Sequence, residues 1–155
     1  MLRLGARDFS AIPRFPAMSK KETDRSERFS RTREQHASEM AEDYVEAVQE
    51  LIDSKGECRV QELARIFSVS HVTVSRTVGR LQKDGLLETA PYKPITLTPK
   101  GSKLAARVKK RHEVVLEFLL ALGVDEQTAQ IDSEGIEHHV SEKTLAAMKK
   151  FLKRK

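Results

Sequence analysis

Apolar residues recur at spacings of three and four from Met40 onward. Met40, Tyr44, Val45, Val48, Leu51 and Ile52 share one stripe, which predicts a helix from Ser38 to about Lys55 that Gly56 stops. Its opposite face carries Glu42, Asp43, Glu46 and Glu50. A shorter helix follows in "RVQELARIFSV", with Val60, Leu63, Ala64 and Phe67 inward. Ser70 is a good N-cap for a third, "HVTVSRTVGRLQKDGLL", in which Val72, Val74, Val78, Leu81 and Leu86 are expected to face the core. The segment "LLETAPYKPITLT" then reads as a hairpin around a turn containing Pro and Lys. Thr98-Pro99, a cap followed by proline at the first helical position, opens a long helix that stops at Gly123. Asp125 caps a further helix expected to run through Ile131 to Val140, and Ser141 caps the last, "EKTLAAMKKFLKRK".

Three helices and a hairpin are the order of a winged helix-turn-helix. The pattern therefore predicts a mainly α protein, with residues 38–98 forming a winged helix-turn-helix DNA-binding domain and residues 99–155 a second, helical domain. Residues 1–37 are rich in Ser and Arg and show no sustained period, so they are read as a flexible N-terminal arm, with Met18 as an alternative start.

Composition narrows the class. Charged residues make up 33% of the 155 positions and aromatics 5%, which suits a soluble helical protein. No apolar run approaches the roughly 20 residues needed to cross a bilayer, so no membrane partner is expected. The single cysteine, Cys58, cannot form an internal disulfide and fits a cytoplasmic location. The net charge of +5 is unevenly spread: from Ser70 to Arg111 ten bases stand against Asp84 and Glu88 alone, as on a nucleic-acid surface. In the third helix Ser70, His71, Thr73 and Ser75 are small or polar enough to approach base edges. Arg76 and Arg80 can reach bases or phosphates, and Lys93 at the hairpin tip the backbone. Three-helix domains also serve as protein-binding modules, so charge and order favour DNA without excluding that use.

The stretch "IDSEGIEHHV" holds two of the five histidines. On a helix Glu134, Glu137 and His138 stand at i, i+3 and i+4 and leave one face. The long helix adds His112 beside "KKRH", and the first helix adds Asp43 and Glu46 at i, i+3, so three helices can converge on one metal site. Taken singly, each has an ordinary explanation: a solvated acidic face, a core or phosphate-contacting histidine, a polar helix end. Taken together, the set is all oxygen and imidazole, which suits hard or borderline divalent ions, Mn²⁺ in particular, and carries enough carboxylates for two neighbouring ions. His139 is read as a structural histidine pointing elsewhere.

From about Glu39 to its end the chain resembles the manganese-responsive branch of the diphtheria-toxin-repressor family, the MntR-type regulators. The likeness runs through "EDYVEAV", "RVQELARIFSVSHVTVSRTVGRLQKDGLL", "RHEVVLEFLLALGVD" and above all "DSEGIEHHVS". It implies metal ligands at Asp43, Glu46, His112, Glu134, Glu137 and His138. It also implies a homodimer that reads a palindromic operator when Mn²⁺, two ions per subunit, is bound, and repression of manganese-uptake genes. In the iron-sensing branch a methionine tends to replace Asp43 and a cysteine Glu134, so oxygen at both positions favours Mn²⁺ over Fe²⁺. The resemblance further implies no C-terminal SH3-like domain. Three rivals remain beside this expectation: an iron-responsive repressor of the same family, a winged-helix regulator indifferent to metal, and a dinuclear metallohydrolase activating water, for which no substrate pocket or further general acid is evident.

Overall fold

The computed structural model describes residues 20–154, with side chains from Glu34 on. Helix α1 spans Lys20–Lys55, α2 Val60–Ile66 and α3 His71–Lys83; strands β1 (Leu87–Glu88) and β2 (Thr96–Leu97) form the wing; α4 spans Pro99–Ala121, α5 Glu126–Ile136 and α6 Glu142–Leu152. From His36 on the chain is one compact unit.

The first helix starts at Lys20 rather than Ser38, so the expected flexible arm is helical from Lys20 to Ala37; residues 1–19 lie outside the described residues. Apolar periodicity is absent there, but helix formation needs only propensity. Lys, Glu and Arg dominate the segment, and the sequence sets Asp24 four residues before Arg28 and Glu27 four before Arg31.

The main core is built by α1 to α3, the wing and the start of α4. Val45, Val48, Leu63, Val74, Leu81, Leu87 and Ile95 are almost wholly buried in it. Tyr44 stacks on Phe67, ring centroids 4.4 Å apart, and so pins α1 to the end of α2. The wing strands pair antiparallel with Leu87 opposite Leu97, and a single bridge from Cys58 to Ile95 ties them to the start of α2. Buried Cys58 has its thiol pushed up to about 12 by burial, then by Glu62, and is inert packing.

Two residues expected in this core are exposed. Val72 is 69% exposed because the inward stripe of α3 is Val74, Thr77, Val78 and Leu81, and two residues before Val74 falls roughly 200° round the helix. Met40 is also exposed and offers its sulfur to the Arg80 guanidinium at 3.3 Å.

A second, smaller core gathers Val114, Val115 and Leu145, with Leu119, Ile136, Val140 and Met148 against it. Phe118 meets Phe151 edge-on at 5.4 Å, closing α4 on α6. Helix α4 therefore belongs to both cores, with Ala105 in the first and Val114 and Val115 in the second. Its N-cap, Thr98, accepts from the Gly101 amide at 3.0 Å and donates to the Gly85 carbonyl at 2.7 Å, fastening α4 to the end of α3.

The helix expected to reach Val140 stops at Ile136. Ser141 must be extended, at φ −68° and ψ 154°, to cap α6, so the chain leaves the helix before it and the His139 amide turns back to the Ile136 carbonyl at 3.0 Å. His138 is thus held in a turn.

A Cβ on buried Gly101 would run into the Leu86 carbonyl oxygen and crowd the Leu97 side chain. Gly101→Ala should cost about 1–3 kcal/mol, the usual range for overpacking. Thermal unfolding should register it as a clear fall in Tm, and an unchanged Tm would show that α4 can slide away from the wing.

Candidate metal centre and nucleic-acid face

Helices α1, α4 and α5 bring the acids and imidazoles together. His112 projects from α4 with Nδ1 2.7 Å from Glu137 Oε2 and 3.6 Å from Glu134 Oε1. One donor atom from each of these three residues lies within 4.8 Å of the others, close enough to share an ion. Across from them, His138 sets Nε2 3.1 Å from Asp43 Oδ1 and 3.5 Å from Glu137 Oε1. Glu137 stands between the two groups. It is fully buried, yet Oε1 has no hydrogen-bond partner.

Five of the six expected ligands, Asp43, Glu46, His112, Glu134 and His138, line a cleft of about 850 Å³ between α1 and α4, with Glu137 buried behind it. Glu46 shares no close pair with the others, but it feels them. Burial first, then the charges of Glu137, Glu50 and Glu134, push its carboxyl up to about 7. Burial also raises Glu137, against the pull of His112 and His138. A cluster in which one buried carboxylate oxygen has no hydrogen bond and two carboxyls are held above their ordinary range fits a divalent cation, which would balance the charge that the imidazoles only partly offset.

Two residues of this seam were misplaced by the sequence reading. Glu42, assigned to the outer face of α1, is only 6% exposed; its Oε2 accepts from His138 Nδ1 at 2.9 Å and from Arg111 at 3.2 Å. Burial works to raise the Glu42 carboxyl, but the hydrogen bond from His138 and the charges of Arg111, His138 and Arg107 outweigh it and hold it below its usual value. Arg111, counted among the DNA-facing bases, turns inward and also donates to the Glu137 carbonyl at 3.3 Å. The usable signal was spacing: Arg107 and Arg111 lie one turn apart on α4, as Glu42 and Glu46 do on α1. His139, expected to point elsewhere, lines the same cleft, 3.2 Å from Glu39.

Helix α3 follows α2 through a tight turn in which Ser68 takes φ +53°. Ser70, His71, Thr73, Ser75, Arg76, Arg80 and Lys93 are all exposed. Ser70 spends its Oγ on the Thr73 amide, and their hydroxyls meet at 2.9 Å. His71 and Lys93 flank a groove of about 540 Å³ between α3 and the wing, which Arg59 and Gln82 also line.

An exposed helix-turn-helix beside a buried carboxylate and imidazole cluster defines a metal-binding DNA regulator. The chain belongs to the iron-dependent repressor family: residues 36–95 match its N-terminal DNA-binding domain and residues 98–154 its metal-binding and dimerisation domain. It is a DNA-binding transcription regulator, not an enzyme. It is 43% identical over 130 residues to the transcriptional regulator MntR of Escherichia coli O157:H7, covering 84% of each chain. With the HTH-type transcriptional regulator MntR of Lysinibacillus sphaericus it shares 46% over 100 residues, 64% of this chain and 72% of that one. Among solved structures it resembles the manganese regulator SloR, with TM-score 0.64 and 27% identity over 73% of this chain and 53% of that one. A manganese-dependent transcriptional repressor in complex with manganese gives TM-score 0.66 and 27% identity over 72% and 52%. The chain spans about half the length of these two solved regulators. Among the described residues no helix is long and apolar enough to cross a membrane.

The cluster makes metal-free stability depend on pH. Hydrogen bonds to Asp43 and then Glu42 outweigh burial and raise His138 from its ordinary 6.5 to about 10. Holding its proton more tightly when folded, His138 stabilises fully below pH 6.5, and that contribution drains away as pH rises through about 10. Glu46, raised from 4.5 to about 7, begins to cost stability above pH 4.5 and costs it fully above 7. Both effects run the same way. The melting temperature of chelated protein should fall from pH 6 to pH 9, and the fall should shrink in His138→Gln. A flat profile in the wild type would contradict the cluster's electrostatics.

Proposed function

We propose that this chain is a manganese-activated transcriptional repressor, binding as a homodimer to a palindromic operator. The observation that carries the reading is Glu137, a buried carboxylate with Oε2 on His112 and an Oε1 without a hydrogen bond, 3.5 Å from His138 Nε2. Asp43, Glu46, His112, Glu134, Glu137 and His138 would be its ligands, with carboxylates enough for two ions per subunit. Oxygen at Asp43 and Glu134, and no sulfur in the set, favours Mn²⁺ over Fe²⁺. The names of its MntR relatives and the manganese-dependent repressor among its structural relatives support that choice.

When bound, Mn²⁺ supplies the positive charge that the carboxylates need to approach one another. The residues do the rest. Asp43 and Glu46 belong to α1, which packs in the DNA-reading core, while Glu134, Glu137 and His138 belong to α5 and its turn, against the second core. Drawing them together sets the angle between the two halves. A dimer must present its two recognition helices about 34 Å apart, so fixing this angle favours the DNA-competent population. Leu120 and Leu122 near the end of α4 and Phe151 on α6 are exposed apolar residues offered to the second copy. DNA should tighten metal binding by the same factor as metal tightens DNA binding.

The test is operator binding at one salt concentration, with chelator and then with Mn²⁺ added. Mn²⁺ should tighten binding by roughly 5- to 150-fold, the ordinary range of allosteric coupling. Glu134→Ala and His138→Ala should remove that gain while keeping the fold; a full Mn²⁺ response in both sinks the ligand assignment. Tight binding indifferent to chelator would leave a regulator that does not sense metal.

Arg76→Ala should weaken operator binding by about 1–3 kcal/mol and leave Mn²⁺ affinity without DNA unchanged. Calorimetric titration checks the second half, and a large loss of Mn²⁺ affinity there would contradict the separation of the DNA face from the metal seam.

A further inference from the structure

His138 has no helix to aim it. It sits in the turn after α5, where rotation of the ring about its last torsion would exchange the nitrogen that faces Asp43 for a carbon. A ligand histidine is ordinarily held by a partner on its other nitrogen. Here that partner is Glu42, whose Oε2 lies 2.9 Å from Nδ1.

Glu42 is itself held. Arg111 Nη1 stands 3.2 Å from Glu42 Oε2 and 3.3 Å from the Glu137 carbonyl, the backbone group immediately before His138. One guanidinium nitrogen therefore ties the acceptor to the stretch of chain that carries the ring. Arg107 adds a longer contact, 3.7 Å to Glu42 Oε1. With Oε2 shared by His138 and Arg111, and Oε1 turned to Arg107, the Glu42 carboxylate sits on the Nδ1 edge of the ring, while Asp43 and Glu137 lie on the Nε2 edge. A buried ion pair is a weak device for stability alone, since apolar residues of the same volume do as well or better.

We propose that Glu42 is a positioning residue for His138: it accepts the Nδ1 proton, Arg111 holds it in place, and Nε2 is thereby the nitrogen presented to the ion. The inference rests on His138 being a metal ligand. Arg111 then belongs to the sensor rather than to the DNA-facing basic surface.

The experiment has two arms. The first records nitrogen-15 histidine spectra of the full wild-type chain loaded with Zn²⁺, a diamagnetic stand-in, with His138 assigned from His138→Gln. Nδ1 should be protonated and Nε2 metal-bound. Metal on Nδ1 overturns the proposal and leaves the ligand reading standing; no metal effect on either nitrogen overturns both. The second arm compares Mn²⁺ affinity without DNA, by electron paramagnetic resonance, in wild type and in the double variant Glu42→Leu with Arg111→Met, which removes the pair while keeping apolar volume. Affinity should fall roughly 10- to 100-fold, as for other lost partners of ligand histidines, with cooperative melting of the metal-free protein retained. Glu42→Gln, which keeps an acceptor oxygen, should lose less. A folded double variant that binds Mn²⁺ within about twofold of wild type overturns the proposal. If that variant does not fold, the wild-type spectrum decides alone.

Discussion

A carboxylate buried between two imidazoles organises this molecule. Glu137 is sealed from solvent, and removing an ionised carboxylate from water costs several kcal/mol unless it is paired. His112 satisfies one oxygen and the other is left without a hydrogen bond. Around that unsatisfied group the chain has placed further acids, so the seam between α1, α4 and α5 is held together against its own charge. The charges of His112, His138 and Arg111 offset that burden only in part.

The architecture follows from where that seam lies. Helix α1 gives its apolar side to the DNA-reading core and its acids to the seam. Helix α4 begins under the wing, where Gly101 admits the Leu86 carbonyl, and ends in the second core. Both helices are therefore rigid members of two neighbourhoods.

The recognition end shows the same economy. The Ser70 hydroxyl is committed to capping α3, and the Arg80 guanidinium rests on Met40 of α1. A residue of the reading helix thus touches the helix that carries Asp43 and Glu46.

Much of this was legible in the order of residues. Apolar periods located the core helices, Ser70, Thr98, Asp125 and Ser141 marked helix starts by local cap chemistry, and the spacing within "EGIEHH" put Glu134, Glu137 and His138 close together. These are short-range properties, fixed by backbone geometry within a turn or two. The sequence could not say that α1 begins at Lys20, since a charged helix carries no apolar period, nor that Val72 turns outward, since valine belongs equally to a core and to an exposed first turn. Nor could it separate Glu42 from Asp43 or Arg111 from its basic neighbours. Whether an acid or an arginine faces water or a buried partner depends on which helix crosses it, and Glu42, Arg111 and Glu137 meet only across separations of 69 and 26 residues along the chain, a distance that only tertiary packing closes.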